Sequence, residues 1–131
     1  MNIRSEEVTV NAPVAKLFEQ LIDYNNYRLM MPEQVIKWES DEKHGRFTIK
    51  DLTELGMRIE ETSPNEFVKL HSDGKVPFEF TLTVFLMETG SATTNAHIEF
   101  DGNVSPMIAM MARRPLTNLV NHMVGKIGEM F

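Results

Sequence analysis

The feature of this sequence that most constrains its fold is a series of short alternating runs over residues 35–103. Apolar and polar residues alternate within each run, and this period of two is typical of β-strands with one buried face. Turn-forming residues separate the runs at the spacing of an antiparallel meander, so we predict six strands. We expect the turns at residues 41–45, 54–56, 63–65, 73–74 and 88–91.

Residues before the meander combine one strand with two short helices. A half-buried first strand is predicted over residues 3–10, followed by an amphipathic helix over residues 12–22 with Asn11 as its N-cap. A second helix is expected at residues 27–31 and must end before Pro32, because proline cannot continue a helix.

The last segment, residues 105–131, is predicted to form one long helix. Ser105 is a suitable N-cap and Pro106 fits the first helical position. At about 1.5 Å per residue the helix is long enough to cross the sheet. Pro115 removes a backbone donor, so we expect a kink or a break near residues 112–114. The sequence thus predicts an α+β fold, in which a bent antiparallel sheet of about seven strands wraps around a long C-terminal helix.

Composition excludes several classes of function. The 131 residues include no cysteine, which excludes disulfides, a thiol nucleophile and cysteine-based metal sites. The net charge is −6 and the only adjacent basic pair is Arg113–Arg114, which argues against a nucleic-acid partner. Residues 1–10 contain charges and no apolar core, so neither a secretory signal nor a membrane span is expected. We expect a single domain over residues 1–131, located in the cytoplasm.

The order of these elements, together with three short stretches, resembles the START-like superfamily, which includes polyketide cyclases, lipid-transfer domains and birch-pollen-allergen-like proteins. The stretches are Val8-Thr9-Val10-Asn11-Ala12-Pro13-Val14 leading into Leu17-Phe18, the Asp23-Tyr24 step into Asn26-Tyr27 and Met31-Pro32, and the methionine-rich start of the last helix. The resemblance implies a helix-grip fold with an apolar cavity between the sheet and the terminal helix. It also implies a small hydrophobic ligand, such as a lipid, a sterol or a polyketide. No cofactor is expected, because the sequence has no phosphate-loop or dinucleotide motif.

Two groups of residues are candidates for such a site. Arg113 and Arg114 are candidates for contact with an anionic head group, because guanidinium forks match carboxylates and phosphates. Apolar residues of the sheet and the terminal helix are expected to form the cavity wall. These are Trp38, Phe47, Ile59, Phe78, Phe80, Met107, Met111 and Met123. The segment at residues 107–111 is interpreted either as an adaptable gate beside the cavity or as ordinary core packing.

A metal site is not expected. His97, Glu99 and Asp101 alternate along one predicted strand and therefore share a face. The rise of about 3.3 Å per residue along a strand spreads the three groups too far apart for tight coordination.

An enzyme of the cyclase or dehydratase type, acting on a polyketide-like or aromatic substrate, remains an alternative. It requires a buried polar pair inside the cavity. Asp51, Glu61 and Thr94 are in phase with apolar neighbours, although the two carboxylates lie at strand ends where exposure is expected. Tyr24 and Tyr27 offer phenols at the edge of the pocket or act as structural plugs. No catalytic sequence motif is present, so catalysis is the less favoured function.

The sequence therefore favours binding of a small hydrophobic molecule by a carrier or a sensor. A second alternative is a protein-interaction module without a ligand, which predicts a filled core and an exposed apolar patch of several hundred Å². The oligomeric state stays open.

Overall fold

Every alternating run over residues 35–103 forms a strand in the computed structural model, which describes all of residues 1–131. The strands are β1 Asn2–Arg4, β2 Val8–Val10, β3 Val35–Ser40, β4 His44–Ile49, β5 Thr53–Ser63, β6 Phe67–Ser72, β7 Phe80–Gly90 and β8 Thr93–Gly102. The helices are α1 Val14–Leu21, a 3₁₀ helix Tyr24–Met30, and α2 Pro106–Glu129. The predicted α+β architecture, with short helices after the first strands and a long terminal helix, is confirmed.

The strands form one antiparallel sheet in the order β1-β8-β7-β6-β5-β4-β3, with β2 also paired to β8. The sheet has eight strands because the predicted first strand is divided in two. Asn2 pairs with Asp101, whereas Val8 pairs with Ala96, so the register shifts by one residue between β1 and β2. Ser5 lies in the gap, where its Oγ accepts a hydrogen bond from the Ile98 amide at 2.7 Å.

One predicted turn was wrong. The chain turns between β4 and β5 at residues 50–52, where Asp51 adopts a left-handed conformation with φ of 65°, and not at residues 54–56. Gly56 instead lies inside β5, where a Cβ atom would collide with the Asp73 backbone and the Arg46 side chain. Glycine is used here inside a strand and not in a turn, because it lets neighbouring groups approach the backbone closely.

The two short helices begin at other residues than predicted. Helix α1 starts at Val14, and Asn11 is not its cap, because the extended Pro13 occupies the N-cap position without a side-chain hydrogen bond. The second helix is of the 3₁₀ type and starts at Tyr24, where the Asp23 carboxylate accepts a hydrogen bond from the Asn25 amide at 3.0 Å.

Helix α2 begins as predicted. Ser105 is its N-cap, with Oγ accepting a hydrogen bond from the Ile108 amide at 3.3 Å. The helix continues through Pro115, so the alternative of a break near residues 112–114 was wrong. Next to the proline, Thr117 Oγ1 donates a hydrogen bond to the Arg113 carbonyl at 2.7 Å. None of the helices is long and apolar enough to cross a membrane.

The core lies between the inner face of the sheet and the second half of α2. It consists of 29 buried apolar residues in one cluster, which occupies the space between the sheet and α2, called the grip below. From α2 the buried side chains are Leu116, Leu119, Val120, Met123, Val124 and Ile127. This is the apolar stripe that the helical periodicity indicates, and it packs mainly toward β8, β2, β1 and the 3₁₀ helix.

Candidate ligand-binding site

A cleft of about 430 Å³ lies where the middle of α2 passes the β3 edge of the sheet. One wall is a single face of α2, formed by Arg114, Pro115, Asn118, Leu119 and His122. The opposite wall consists of Pro32, Gln34, Val35, Ile49 and Lys50.

Local hydrogen bonds fix the wall opposite α2. The Val35 amide donates to the Pro32 carbonyl at 3.0 Å, and the Lys50 amide donates to the Gln34 carbonyl at 2.7 Å. These bonds hold the start of β3 against the turn that follows β4. Helix α2 packs mainly against the 3₁₀ helix and against β8, β2 and β1, at the sheet edge opposite β3. The corner formed by β3 and β4 therefore stays apart from α2, and the cleft is the gap between this corner and the helix.

The floor of the cleft is apolar. Leu119 and Ile49 are buried, and Val35 is half-buried. Aliphatic side chains at the bottom of a cleft gain free energy when an apolar ligand excludes water from them. The floor therefore suits the apolar body of a small molecule.

The polar part of the cleft is electropositive. Arg114 and Lys50 are its formally charged side chains, and no aspartate or glutamate lies on its walls. Neither cation has a carboxylate partner within 4.0 Å, which leaves both free to meet an anion. The carboxylates nearest in sequence, Glu33 and Asp51, lie outside the walls.

His122 supplies a polar atom without a partner. Its Nε2 is shielded from solvent and makes no hydrogen bond to any protein group, although the residue lies on the cleft wall. Buried polar atoms in proteins are nearly always paired, so such an atom beside a cleft is a potential ligand contact.

Among the residues predicted for the site, only Arg114 lies on the wall of this cleft. Arg113, its neighbour, points elsewhere and donates a hydrogen bond to the Asn2 carbonyl at 3.3 Å. Adjacent side chains of a helix point about 100° apart around its axis. Arg114 therefore faces the cleft, whereas Arg113 makes a contact within the fold.

The predicted aromatic and aliphatic wall residues lie in or against the core. Phe47, Phe80 and Met123 are fully buried in it, and Ile59 and Phe78 are half-buried against it. Their inward orientation agrees with the strand alternation, but the space they face is filled by other side chains.

Trp38 belongs to a column of stacked aromatic rings. Its ring lies between those of Tyr24 and Phe47, with centroids 5.3 and 5.5 Å away, and Tyr27 extends the column beyond Tyr24 at 5.3 Å. Both tyrosines are fully buried, and burial raises the pKa of each phenol above its ordinary value. The tyrosines therefore act as structural plugs in this fold.

The methionine-rich start of α2 is exposed. Met107 and Met111 are each 70% exposed and Met110 is 80% exposed. The interpretation of these residues as ordinary core was wrong, because this end of the helix extends past the groups that could cover it. They also lie outside the walls of the cleft.

The polar groups considered for catalysis do not meet in the cleft. Asp51 and Glu61 are exposed, as expected, and the buried Thr94 donates its hydroxyl to the Ala12 carbonyl at 2.9 Å. His97 Nε2 lies 2.9 Å from Glu99 Oε2, on the sheet face opposite the core. The cleft itself combines an apolar floor with cationic and neutral donors, which suits binding of an amphipathic molecule.

Sequence reasoning missed Lys50, Gln34 and His122. The first two lie in connections without periodicity, so only the folded chain brings them together. A signal did exist for His122, because Arg114, Asn118 and His122 recur every four residues and must share a helix face.

No protein-family model matches the sequence, and no curated protein matches it significantly. Solved structures do share its architecture. Norcoclaurine synthase from Thalictrum flavum is 13% identical over 99% of this chain and 85% of its own, with a TM-score of 0.77. A START superfamily protein from Mycobacterium smegmatis is 12% identical over 99% of both chains, with a TM-score of 0.70.

The chain has the START-like fold. A further structural match is the di-domain ARO/CYC BexL from the BE-7585A biosynthetic pathway, at 14% identity and a TM-score of 0.70. The match covers 98% of this chain and 45% of BexL. At these identities the likeness establishes the START-like fold alone, and function has to be argued from the site.

Proposed function

We propose that this START-like protein binds a small, mainly apolar molecule in the cleft between α2 and the β3 edge, as a carrier or a sensor. The observation that carries the proposal is the cleft itself. Its volume of about 430 Å³ falls within the roughly 300–1,000 Å³ of small-molecule sites, and its apolar floor with polar groups above is their usual composition. Two proteins that share the fold support the proposal: norcoclaurine synthase is named for the synthesis of a small molecule, and BexL comes from a biosynthetic pathway.

The filled core determines which ligands suit the cleft. A cluster of 29 buried residues occupies the centre of the grip, so a ligand that sits at the edge must be compact. Burying about 300 Å² of apolar surface contributes roughly 7 kcal/mol before ordering costs. Micromolar affinity requires about 8 kcal/mol, so polar contacts must add to the burial of apolar surface.

Methyl NMR provides a test that locates the ligand. We expect titration with decanoate or 2-naphthoate to shift the methyl signals of Val35, Ile49 and Leu119 in a saturable manner. Asn118→Trp places a large ring in the cleft from an exposed wall position and should abolish the shifts. Met110→Trp puts the same ring on the same helix away from the cleft and should preserve them. Shifts confined to core methyls, or none with any apolar probe, would contradict the proposal.

A second candidate function, binding of a partner protein, is favoured by the exposed methionines. Met107, Met110 and Met111 form an apolar surface on the first turns of α2, while the core is filled. Arg113 and Arg114 follow this surface directly, so the matching partner is a helical segment with an apolar stripe and acidic flanks.

Photo-methionine crosslinking tests this second function. Wild-type protein should capture a defined partner whose purified form then binds it in solution, and Met110→Lys should weaken that binding at least tenfold. Equal binding by wild type and Met110→Lys, or self-association of the purified chain as the only product, would refute it.

A further inference from the structure

The distribution of charge over the cleft differs from that of the whole protein. Acidic residues outnumber basic ones by 19 to 13 in the chain, yet the walls of the cleft carry Arg114 and Lys50 and no carboxylate. The sequence of α2 shows the same bias, because residues 102–128 contain no aspartate or glutamate. A positive site on an acidic protein attracts anions that the rest of the surface repels.

The three cations of the chain that form ion pairs lie outside the cleft. Arg46 pairs with Glu54 at 2.7 Å, Arg58 pairs with Glu60 at 3.3 Å, and Lys126 pairs with Glu129 at 3.0 Å. The side chains of Arg114 and Lys50 make no ion pair and no hydrogen bond within the protein. Two unpaired cations that face one cleft provide a place for a single anionic group.

His122 adds an independent observation. Its Nε2 is buried on the same wall without a hydrogen-bond partner, two helical turns beyond Arg114. The nitrogen is shielded in this conformation, so the ring has to turn toward the cleft, with its proton on Nε2, to donate to a ligand oxygen. That contact would give the buried nitrogen the partner that such atoms normally have.

We propose that the ligand of this cleft is an apolar acid, whose anionic oxygens are held by Arg114 and Lys50 with His122 as a third contact. The apolar part then lies over Leu119 and Ile49. This inference rests on the proposed binding function and specifies the chemical class of its ligand. Carboxylates and phosphate monoesters share the required oxygens, so the experiment includes both.

Matched probes separate the anionic group from the apolar chain. Dissociation constants of decanoate, decyl phosphate and decanamide are measured by isothermal titration calorimetry at low ionic strength. Charged hydrogen bonds change affinity by about tenfold or more, so decanoate or decyl phosphate should bind at least ten times more tightly than decanamide. Added salt should weaken the charged probe and leave decanamide nearly unchanged.

Variants show whether the named side chains are responsible. Arg114→Ala and Lys50→Ala should each weaken the charged probe about fivefold to tenfold and leave decanamide unaffected. Arg113→Ala is the matched control. It removes the same charge from the neighbouring residue, whose side chain faces Asn2 and not the cleft. His122→Phe should weaken the charged probe while thermal stability is maintained.

Each outcome is decisive. Decanamide binding as tightly as the acids would overturn the inference and leave the apolar cleft in place. Equal losses in Arg113→Ala and Arg114→Ala would also overturn it, since they indicate general attraction by the helix. If no probe binds, both the inference and the proposed binding function are wrong.

Discussion

The two buried tyrosines provide a stringent test of the packing described above. Tyr24 and Tyr27 are both fully buried and stack with ring centroids 5.3 Å apart. They differ in one respect, because Tyr27 Oη donates a hydrogen bond to the Leu21 carbonyl at 2.9 Å, whereas Tyr24 Oη is buried without a partner. The same substitution at the two positions should therefore change stability in opposite directions.

The magnitudes follow from these contacts. Tyr27→Phe removes a hydrogen bond and is expected to lower the free energy of unfolding by about 1 kcal/mol. Tyr24→Phe removes a polar atom whose unpaired burial costs about 1–3 kcal/mol, partly offset by the small void left behind, so we expect a gain of roughly 1 kcal/mol. For a chain of 131 residues, 1 kcal/mol corresponds to about 4 °C, which separates the two variants by roughly 8 °C.

Urea denaturation measures the difference directly. Circular dichroism follows the loss of the sheet, and the fluorescence of Trp38, which stacks on Tyr24 at 5.3 Å, follows the local packing. Coincident transitions from the two probes are needed before free energies are compared. Equal destabilisation by Tyr24→Phe and Tyr27→Phe would refute the reasoning, because it would mean that the Tyr24 hydroxyl is paired in the folded protein.

Two further predictions follow from burial. Burial raises the phenol pKa of Tyr24 and Tyr27 above the ordinary value near 10, so the unfolded chain ionises first. The contribution of the two phenols to stability is then fully present below pH 10 and declines above it by roughly 3 kcal/mol per pH unit, which urea titrations from pH 9 to 12 measure. Each Tyr→Phe variant should halve that slope, and an unchanged slope contradicts the argument. Leu116→Ala, at a fully buried position of α2, should cost about 2–5 kcal/mol, whereas Met110→Ala at an exposed one should stay within about 0.5 kcal/mol in the same assay.

Local periodicity predicted most of the architecture. All six strands of the meander and the long terminal helix were predicted, because alternation and helical spacing report directly which face of an element is buried. The boundaries were harder where one residue type has two uses. Gly56 was interpreted as a turn residue, yet it allows Arg46 and Asp73 to approach β5 closely, and no local pattern distinguishes these roles.

The division of the first strand was also beyond local pattern. Ile3, Val8 and Val10 suit a strand at both ends of residues 3–10, but the shift by one residue is defined by the partner strand β8. A bulge is a property of the pair of strands, so a single segment does not reveal it.

The site was the least predictable part, for a related physical reason. Its walls combine a helix face, a strand edge and two connections, and only tertiary packing brings Lys50 opposite Arg114. The methionines at residues 107–111 show the converse limitation. An apolar helical stripe indicates that a face can be buried, but not whether the folded chain provides a group to cover it.

The stacked rings explain why the candidate site lies at the edge of the grip. The column formed by Tyr27, Tyr24, Trp38 and Phe47 fills volume between the 3₁₀ helix and the sheet. Truncating one of these rings would cost about 3–5 kcal/mol, so opening the centre for a ligand would consume much of the stability of a small domain. By contrast, Arg114 and Lys50 are exposed, and replacing them should change stability by less than about 0.5 kcal/mol. Ile49 and Leu119 belong to both the core and the cleft floor, whereas the two charged residues belong to the cleft alone. A change of affinity in Arg114→Ala or Lys50→Ala therefore reports on the cleft and not on folding.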